Sequence, residues 1–213
     1  MERKITVDKL FSTPLMKIDL SGKSLMNESL CEFLLAKESS ETQRRTGGVQ
    51  KSNVAGWRSK DDLLQLNNPQ VNLLATEVSK AVGELMKVPL SSGATSSRYL
   101  FQMYAWANVN RRGAYNVVHT HPNHHWAGVY YVRAGTNDVD KPLSGLLEFS
   151  DPRPGAGLIP VKDFGFGDRI RIQPRDGLLV IFPGWLPHFV HPYDGDDERI
   201  SIAFNIKLEK AGT

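Results

Sequence analysis

Tyr99-Leu100-Phe101-Gln102-Met103-Tyr104-Ala105-Trp106-Ala107-Asn108-Val109 is the stretch at which this chain changes its period. Successive side chains of a strand point to opposite faces, so Tyr99, Phe101, Met103, Ala105, Ala107 and Val109 line one side and Leu100, Gln102, Tyr104, Trp106 and Asn108 the other. Upstream the period is helical. Asn68 reads as an N-cap and Pro69 as the first helical residue, after which Val71, Leu74, Val78, Ala81 or Val82 and Leu85 form one apolar face that should pack on a sheet. An earlier helix carries Met26, Leu30, Phe33 and Leu34 at the same spacing, with Ser24 as its expected cap. A strand is expected after Pro14, within residues 10–20, broken by Ser21-Gly22-Lys23. Residues 39–56 are polar, with Gly47-Gly48 at their centre, and read as a loop; residues 91–97 read as a Ser/Gly linker.

Downstream, short strand candidates follow at 126–133, 145–150, 169–173, 177–182, 188–191 and 199–208, separated by Pro, Gly and Asp clusters. Two helices followed by seven or eight short strands predict a mainly β fold, a double-sheet jelly roll with the helices laid on one outer face. The expected organisation is one domain over 1–213, in which residues 1–95 supply a strand and helices that support the barrel of 96–213. With 40% hydrophobic and 23% charged residues the composition is that of a globular protein. The net charge of +3 is spread along the chain, too thinly for a nucleic-acid surface. Cys31 is the single cysteine, so no intrachain disulfide can form; its apolar neighbours predict a buried thiol. No run approaches membrane-spanning length and the N-terminus lacks an apolar leader, so no membrane partner and a cytoplasmic protein are expected. A homodimer through an edge strand or the outer helices is compatible with the pattern, although nothing in it requires one.

The six histidines all fall in two windows, 119–125 and 188–191. Packing or surface chance would scatter them, whereas imidazole is a common ligand of mid-row transition metals. His119 and His121, two apart in an extended segment, project to one face about 6.6 Å apart. His188 arrives 67 residues after His121, just past the apolar run Gly177–Phe182. A close pair and one distant ligand make a three-ligand face with open positions, which points to catalysis over a structural ion. In the last strand Arg199, Ser201 and Asn205 face one way, while Ile200, Ile202, Phe204 and Ile206 face the other. An arginine on the inside of a barrel is costly if unpaired, and a carboxylate ligand satisfies it bidentately. Single tryptophans and His124 and His125 have packing or surface roles as their commoner reading, and His191 reads as a residue orienting a ligand ring through its own N–H.

The order His119-Thr120-His121, His188, then Arg199-Ile200-Ser201 resembles the 2-oxoglutarate/Fe(II)-dependent dioxygenase superfamily, with its His-x-Asp/Glu pair, distal His and Arg-x-Ser. More narrowly, Phe11–Leu15, Gly56-Trp57-Arg58-Ser59, Trp106-Ala107-Asn108, His119–Tyr131, Asp151-Pro152-Arg153 and Phe182–Trp185 are similar to a little-characterised 2OG-Fe(II) oxygenase branch of it with His-x-His in place of His-x-Asp. The resemblance implies a double-stranded β-helix and a non-haem iron dioxygenase. It places Fe(II) on His119, His121 and His188 as the catalytic metal ligands. The cofactor-binding residues it implies are Arg199, Ser201 and Tyr131 on the distal carboxylate of 2-oxoglutarate, with Asn108 as a further polar contact. The implied chemistry couples decarboxylation of 2-oxoglutarate, with O2, to oxidation of a C–H bond in an unknown prime substrate, hydroxylation being the default. One departure is His121, which stands where the superfamily has a carboxylate. Asp151 could complete the triad instead, or His121 could act with His124 or His125. The reading from another class is a non-catalytic cupin-like module that binds a metal or a small acid; it gives no reason for Arg199 and Ser201 to share an inward face.

Overall fold

The computed structural model describes residues 5–6, 11–43, 51–88, 99–136, 140–158 and 169–210. The expected linker at 91–97, most of the polar loop's centre and the loop around Asp163 lie outside the described residues. In chain order the elements are β1 (Met16–Asp19), α1 (Ser24–Gln43), β2 (Asn53–Val54), β3 (Trp57–Arg58), α2 (Pro69–Leu85), β4 (Tyr99–Asn110), β5 (Tyr115–His119), β6 (Trp126–Arg133), β7 (Leu147–Phe149), β8 (Ile170–Ile172), β9 (Leu178–Pro183), β10 (His188–Val190) and β11 (Arg199–Lys210). They form a major sheet in the order β1-β9-β6-β11-β4-β3 and a minor sheet in the order β2-β5-β10-β7-β8. Every pairing between these strands is antiparallel. This is the expected mainly β architecture, a double-stranded β-helix with the two helices on one outer face.

The helices lie where the apolar stripes direct. Val71, Leu74, Val78, Ala81, Val82 and Leu85 of α2 are buried, and Asn68 caps the helix through its side-chain oxygen, which accepts from the backbone N–H of Gln70 and Val71. These residues join Leu30 and Leu34 of α1, Ala105 and Val109 of β4, and Ile200, Ile202, Phe204 and Ile206 of β11 in one core cluster. A second cluster, with Tyr131, Leu147, Phe149, Val180, Phe182 and Leu186, lies between the sheets. The major sheet is therefore apolar toward the helices, and its other face is free to carry polar side chains into the barrel. Cys31 is buried as expected, and burial pushes its thiol up. Among the described residues no helix is long and apolar enough to cross a membrane.

Three expectations need correcting. Helix α1 runs on through residues 39–43, which the polar composition marks as loop. The Lys37–Glu41 pair at 2.8 Å supports that last turn, and Glu38 anchors it to Arg111 at 2.7 Å. Ser24 is the first helical residue rather than the cap, since the carbonyl of Lys23 already accepts from the N–H of Asn27. The end of the expected loop holds a strand, Asn53–Val54, which Ala55 at φ 59 and Gly56 join to a second, Trp57–Arg58, just beyond it. Asn53 holds that turn, its Oδ1 accepting from Gly56 N and its Nδ2 donating to Asn110 Oδ1 at 2.9 Å; such side-chain closure leaves no periodicity to read.

Candidate metal centre

The minor sheet presents the histidines. His119 closes β5 and is the direct cross-strand partner of His188 in β10, so the two Cα positions face each other in register. His121 follows two residues later, past the strand end, where its backbone N–H donates to Gly184 O at 2.7 Å and Asn123 at φ 66 turns the chain away. One ligand nitrogen from each of His119, His121 and His188 lies within 4.8 Å of the other two. Nδ1 of His119 is 2.7 Å from the carbonyl of Val117, and Nδ1 of His188 is 2.8 Å from that of Leu186. Donation to those carbonyls puts the ring proton on Nδ1 and leaves Nε2 a lone pair aimed at the group, the usual way in which ligand histidines are oriented. His121 Nε2 lies 3.3 Å from His188 Nε2.

Burial keeps all three rings neutral. It holds His121 down at about 2, with the neighbouring His188 adding to the effect, and His188 at about 3, while His119 is also lowered by burial. A metal must compete with protons for its ligands, and here the protons are already disfavoured. The donor set therefore fits a mid-row divalent ion such as Fe(II), with imidazole in all three places.

The other candidate ligands sit elsewhere. Asp151 accepts from Arg153 through the backbone N–H and the guanidinium Nε, both at 3.0 Å, and is not one of the clustered donors. His124 Nδ1 pairs with Pro122 O at 2.9 Å, and exposed His125 accepts from Leu208 N–H at 3.0 Å. His191 does not orient a ligand ring: its Nε2 lies 3.0 Å from the carboxylate of Glu148.

The major sheet supplies the opposite wall. Ser201 of β11 pairs with Asn108 of β4 on one side and Tyr131 of β6 on the other, so three polar residues form one row across adjacent strands. Arg199, one pleat along, is 2% exposed, and its guanidinium carbon lies 5.1 Å from the centroid of the Tyr131 ring. Burial pushes its guanidinium below the ordinary arginine value and the Tyr131 hydroxyl up. Among the described residues no carboxylate acts on Arg199; its Nε is buried without a hydrogen-bond partner, and the Tyr131 hydroxyl, close enough to the guanidinium to act on it, has no partner of good hydrogen-bond geometry. Orphaned buried donors of this kind cost stability unless a ligand meets them. The histidines, Tyr131, Arg199 and Ser201 all line one cavity of about 60 Å³. Past His119, His121 and Trp106 it adjoins a mouth of about 540 Å³.

Two features escaped the sequence reading. Arg58, 3% exposed, lies with its guanidinium carbon 4.5 Å from the centroid of the Trp106 ring; the only trace of it was its place in Gly56-Trp57-Arg58-Ser59. Glu148 is fully buried beneath Arg169, Arg171 and His191, and nothing in its neighbours' spacing announces that.

Comparison with known proteins agrees with this geometry. Residues 104–205 match the family described as "Putative 2OG-Fe(II) oxygenase". No curated protein matches the sequence. Solved structures with a similar fold include a Pseudomonas putida prolyl-4-hydroxylase, with 13% identity, TM-score 0.60, and coverage of 95% of this chain and 96% of that one. A prolyl hydroxylase from Trichoplax adhaerens in complex with a hypoxia inducible factor peptide fragment gives 12% identity, TM-score 0.61, and coverage of 91% and 83%. HygX from Streptomyces hygroscopicus with nickel and 2-oxoglutarate bound gives 13%, 0.60, 92% and 83%. The matched residues span just under half of this chain, so it is the greater part of the barrel that is similar to the 2OG-Fe(II) oxygenase family, whose name gives Fe(II) and 2-oxoglutarate as its cofactor and co-substrate.

Proposed function

We propose that this oxygenase is a hydroxylase in which His119, His121 and His188 hold Fe(II), and in which Arg199, Ser201 and Tyr131, with Asn108 beside them, hold the distal carboxylate of 2-oxoglutarate. The observation that carries the reading is Arg199, a buried guanidinium with an orphaned Nε, next to an orphaned tyrosine hydroxyl, in the same cavity as three neutral imidazoles. A carboxylate in that cavity meets both orphaned groups, Arg199 by charge-assisted hydrogen bonds and Tyr131 by donation from its O–H. A cupin-like module that bound only a metal would leave Arg199 unexplained.

Bound at the histidines, the iron supplies oxidative chemistry in which 2-oxoglutarate, O2 and a C–H bond give succinate, CO2 and the corresponding alcohol. The residues of the chain do the rest. The Val117 and Leu186 carbonyls fix two ligand rings, and the buried row Asn108-Ser201-Tyr131 sets the co-substrate's depth. The close-packed wall of Phe149, Phe182 and Leu186 keeps water from the inner side of His188. The prime substrate enters from the mouth at Trp106 and Tyr104. We read the chain as a single cytoplasmic unit over 1–213, with residues 1–95 buttressing the barrel of 96–213. The shared core of Leu30, Leu34, Val71 and Ile202 supports the single unit.

The test is an anaerobic titration with Fe(II) and 2-oxoglutarate, following the visible metal-to-ligand charge-transfer band, with His121→Ala beside the natural chain. The expected result is a band that the substitution abolishes. Iron binding without a band overturns the reading in favour of the binding module.

A further inference from the structure

The motif Gly56-Trp57-Arg58-Ser59 has no part in the function proposed so far, yet it delivers a buried cation to the edge of the metal centre. Strand β3 pairs with β4 at Trp57↔Val109 and Arg58↔Asn108. That register sets Arg58 next to Trp106, two residues along β4 on the same face as Asn108. The guanidinium is tied at both ends, Nη1 donating to the Ser59 carbonyl at 2.9 Å and Nη2 to the Asp61 carboxylate. Ser59 Oγ in turn accepts from the backbone N–H of Ala107 at 2.9 Å, which locks the motif to β4. The guanidinium carbon stands 4.5 Å from the Trp106 ring centroid, within the range of a cation–π contact. The Trp106 ring lies against His121, with centroids 6.0 Å apart and planes tilted by 44°.

His121 needs such a support because it lacks the one its fellows have. His119 and His188 are fixed by their own Nδ1–H on the Val117 and Leu186 carbonyls. Among the described residues no hydrogen bond reaches His121 Nδ1, and the one contact of its ring nitrogens is with His188 Nε2. An untethered imidazole turns freely about its terminal torsion and presents its lone pair only part of the time. The His119 and His188 rings, each with its centroid 5.1 Å away, bound it on the metal side, and the tilted Trp106 ring at 6.0 Å limits its turning from the other. A second charge beside a dication opposes metal binding; Asp61, shared with Lys51, offsets part of the charge of Arg58, and the remainder still reaches His121.

We propose that Arg58 is a positioning residue for the ligand His121, acting through Trp106, so that Asp61, Arg58, Trp106 and His121 form one clamp that takes the place of the missing Nδ1 tether. The inference rests on the metal-centre reading above. It assigns the Gly56–Ser59 and Trp106–Asn108 motifs a joint role: the first brings the cation, the second the ring. It also explains how an imidazole can be held where the superfamily has a carboxylate.

Two measurements test it on the full chain. In the metal-free protein, the side-chain 15N and 1H resonances of the histidines report ring tautomer and motion; Arg58→Gln and Trp106→Leu should change those of His121 and leave those of His119 and His188 in place. In a Co(II) titration the same two variants should weaken binding about ten- to hundredfold and shift the visible ligand-field bands, as losses of ligand orientation do. Trp106→Phe keeps a ring between the guanidinium and His121 and should stay closer to the natural protein than Trp106→Leu. Arg58→Gln with natural His121 resonances, affinity and bands overturns the proposal. If Arg58→Gln does not fold, as its thermal transition will show, the Trp106 pair decides: equal behaviour of Phe and Leu overturns it. If the natural chain binds no Co(II), the metal-centre reading fails, and the metal-free resonances still decide the clamp.

Discussion

Arg199→Met should make the ligand-free protein more stable while removing its response to 2-oxoglutarate. The structure gives the terms. A buried orphaned donor costs about 1–3 kcal/mol, and the Nε of Arg199 is such a group. The cation–π contact with Tyr131, at 5.1 Å, returns about 1 kcal/mol. Methionine fills a similar volume without any polar atom to satisfy, so the substitution should gain about 1 kcal/mol in the absence of ligand. For a chain of 213 residues that raises the melting temperature by about 2–4 °C. A saturating co-substrate reverses the order: at a hundred times its dissociation constant 2-oxoglutarate adds about 2.7 kcal/mol to the natural protein and little to the variant. Thermal denaturation with Co(II), with and without 2-oxoglutarate, measures both effects. A variant destabilised by several kcal/mol without ligand would refute the reasoning, because it would mean that Arg199 already has a partner in the folded chain.

Two further perturbations probe the walls of the site. The carboxyl of Glu148 stands well below its ordinary value of 4.5, at about 2, despite burial that alone would raise it, because Arg171, His191 and Arg169 hydrogen-bond its ionised form. A depressed carboxyl contributes stability that is complete above its unfolded value near 4.5 and fades as pH falls through about 2. Arg169 and Arg171 keep 65% and 49% of their side-chain exposure, so solvent screening reduces that contribution to about 1–2 kcal/mol. Glu148→Gln should therefore lower the urea midpoint at pH 7, with the gap to the natural protein narrowing below pH 4.5 and closing only near pH 2; a gap independent of pH would contradict it. Gly145 has φ +64, and a Cβ there would stand 3.2 Å from Cδ and Nε of Arg199. Gly145→Ala should cost about 1 kcal/mol from backbone strain alone and push the guanidinium aside. Calorimetric 2-oxoglutarate affinity should fall several-fold with it, and an unchanged affinity would show that Arg199 has room to move.

Much of this arrangement was legible in the sequence, and the reason is periodicity. The α2 stripe, the alternation of β4 and the odd and even rows of β11 each follow from one side having to be buried, and all three stand as expected. The clustering of His119, His121 and His188 could be read for a different reason: chemistry concentrates a rare residue type. Illegible features are those made by single side chains bonding to backbone or to each other. Asn53 closing the turn between β2 and β3, Glu38 tying the end of α1 to Arg111, and Arg58 stacking on Trp106 are of this kind. Each is a pairing of residues distant in sequence or a local bond without a period, so the residues are visible and the partnership is not. His191 shows the converse error, since nearness to His188 in sequence suggested a supporting role that its partner Glu148 rules out.

The division of labour between the two sheets explains why the site can depart from its superfamily's pattern without losing its frame. The row proposed to hold the co-substrate is fixed by the register of β11 between β4 and β6, and that register is set by the opposite, apolar row of Ile200, Ile202, Phe204 and Ile206 packed under the helices. A slip of one residue would carry Arg199 and Ser201 into the apolar core, so the helices guard the geometry of groups they never touch. The histidines come from the other sheet, where His119 and His188 are locked as a cross-strand pair. His121 stands apart from both devices, just beyond the end of β5 and outside any ladder. Of the three proposed ligands it is the one that can change chemical type without disturbing a register, and it is also the position that the Arg58–Trp106 clamp reaches. His121 thus stands where backbone pairing imposes least, and there the packing of side chains supplies the order that the backbone does not.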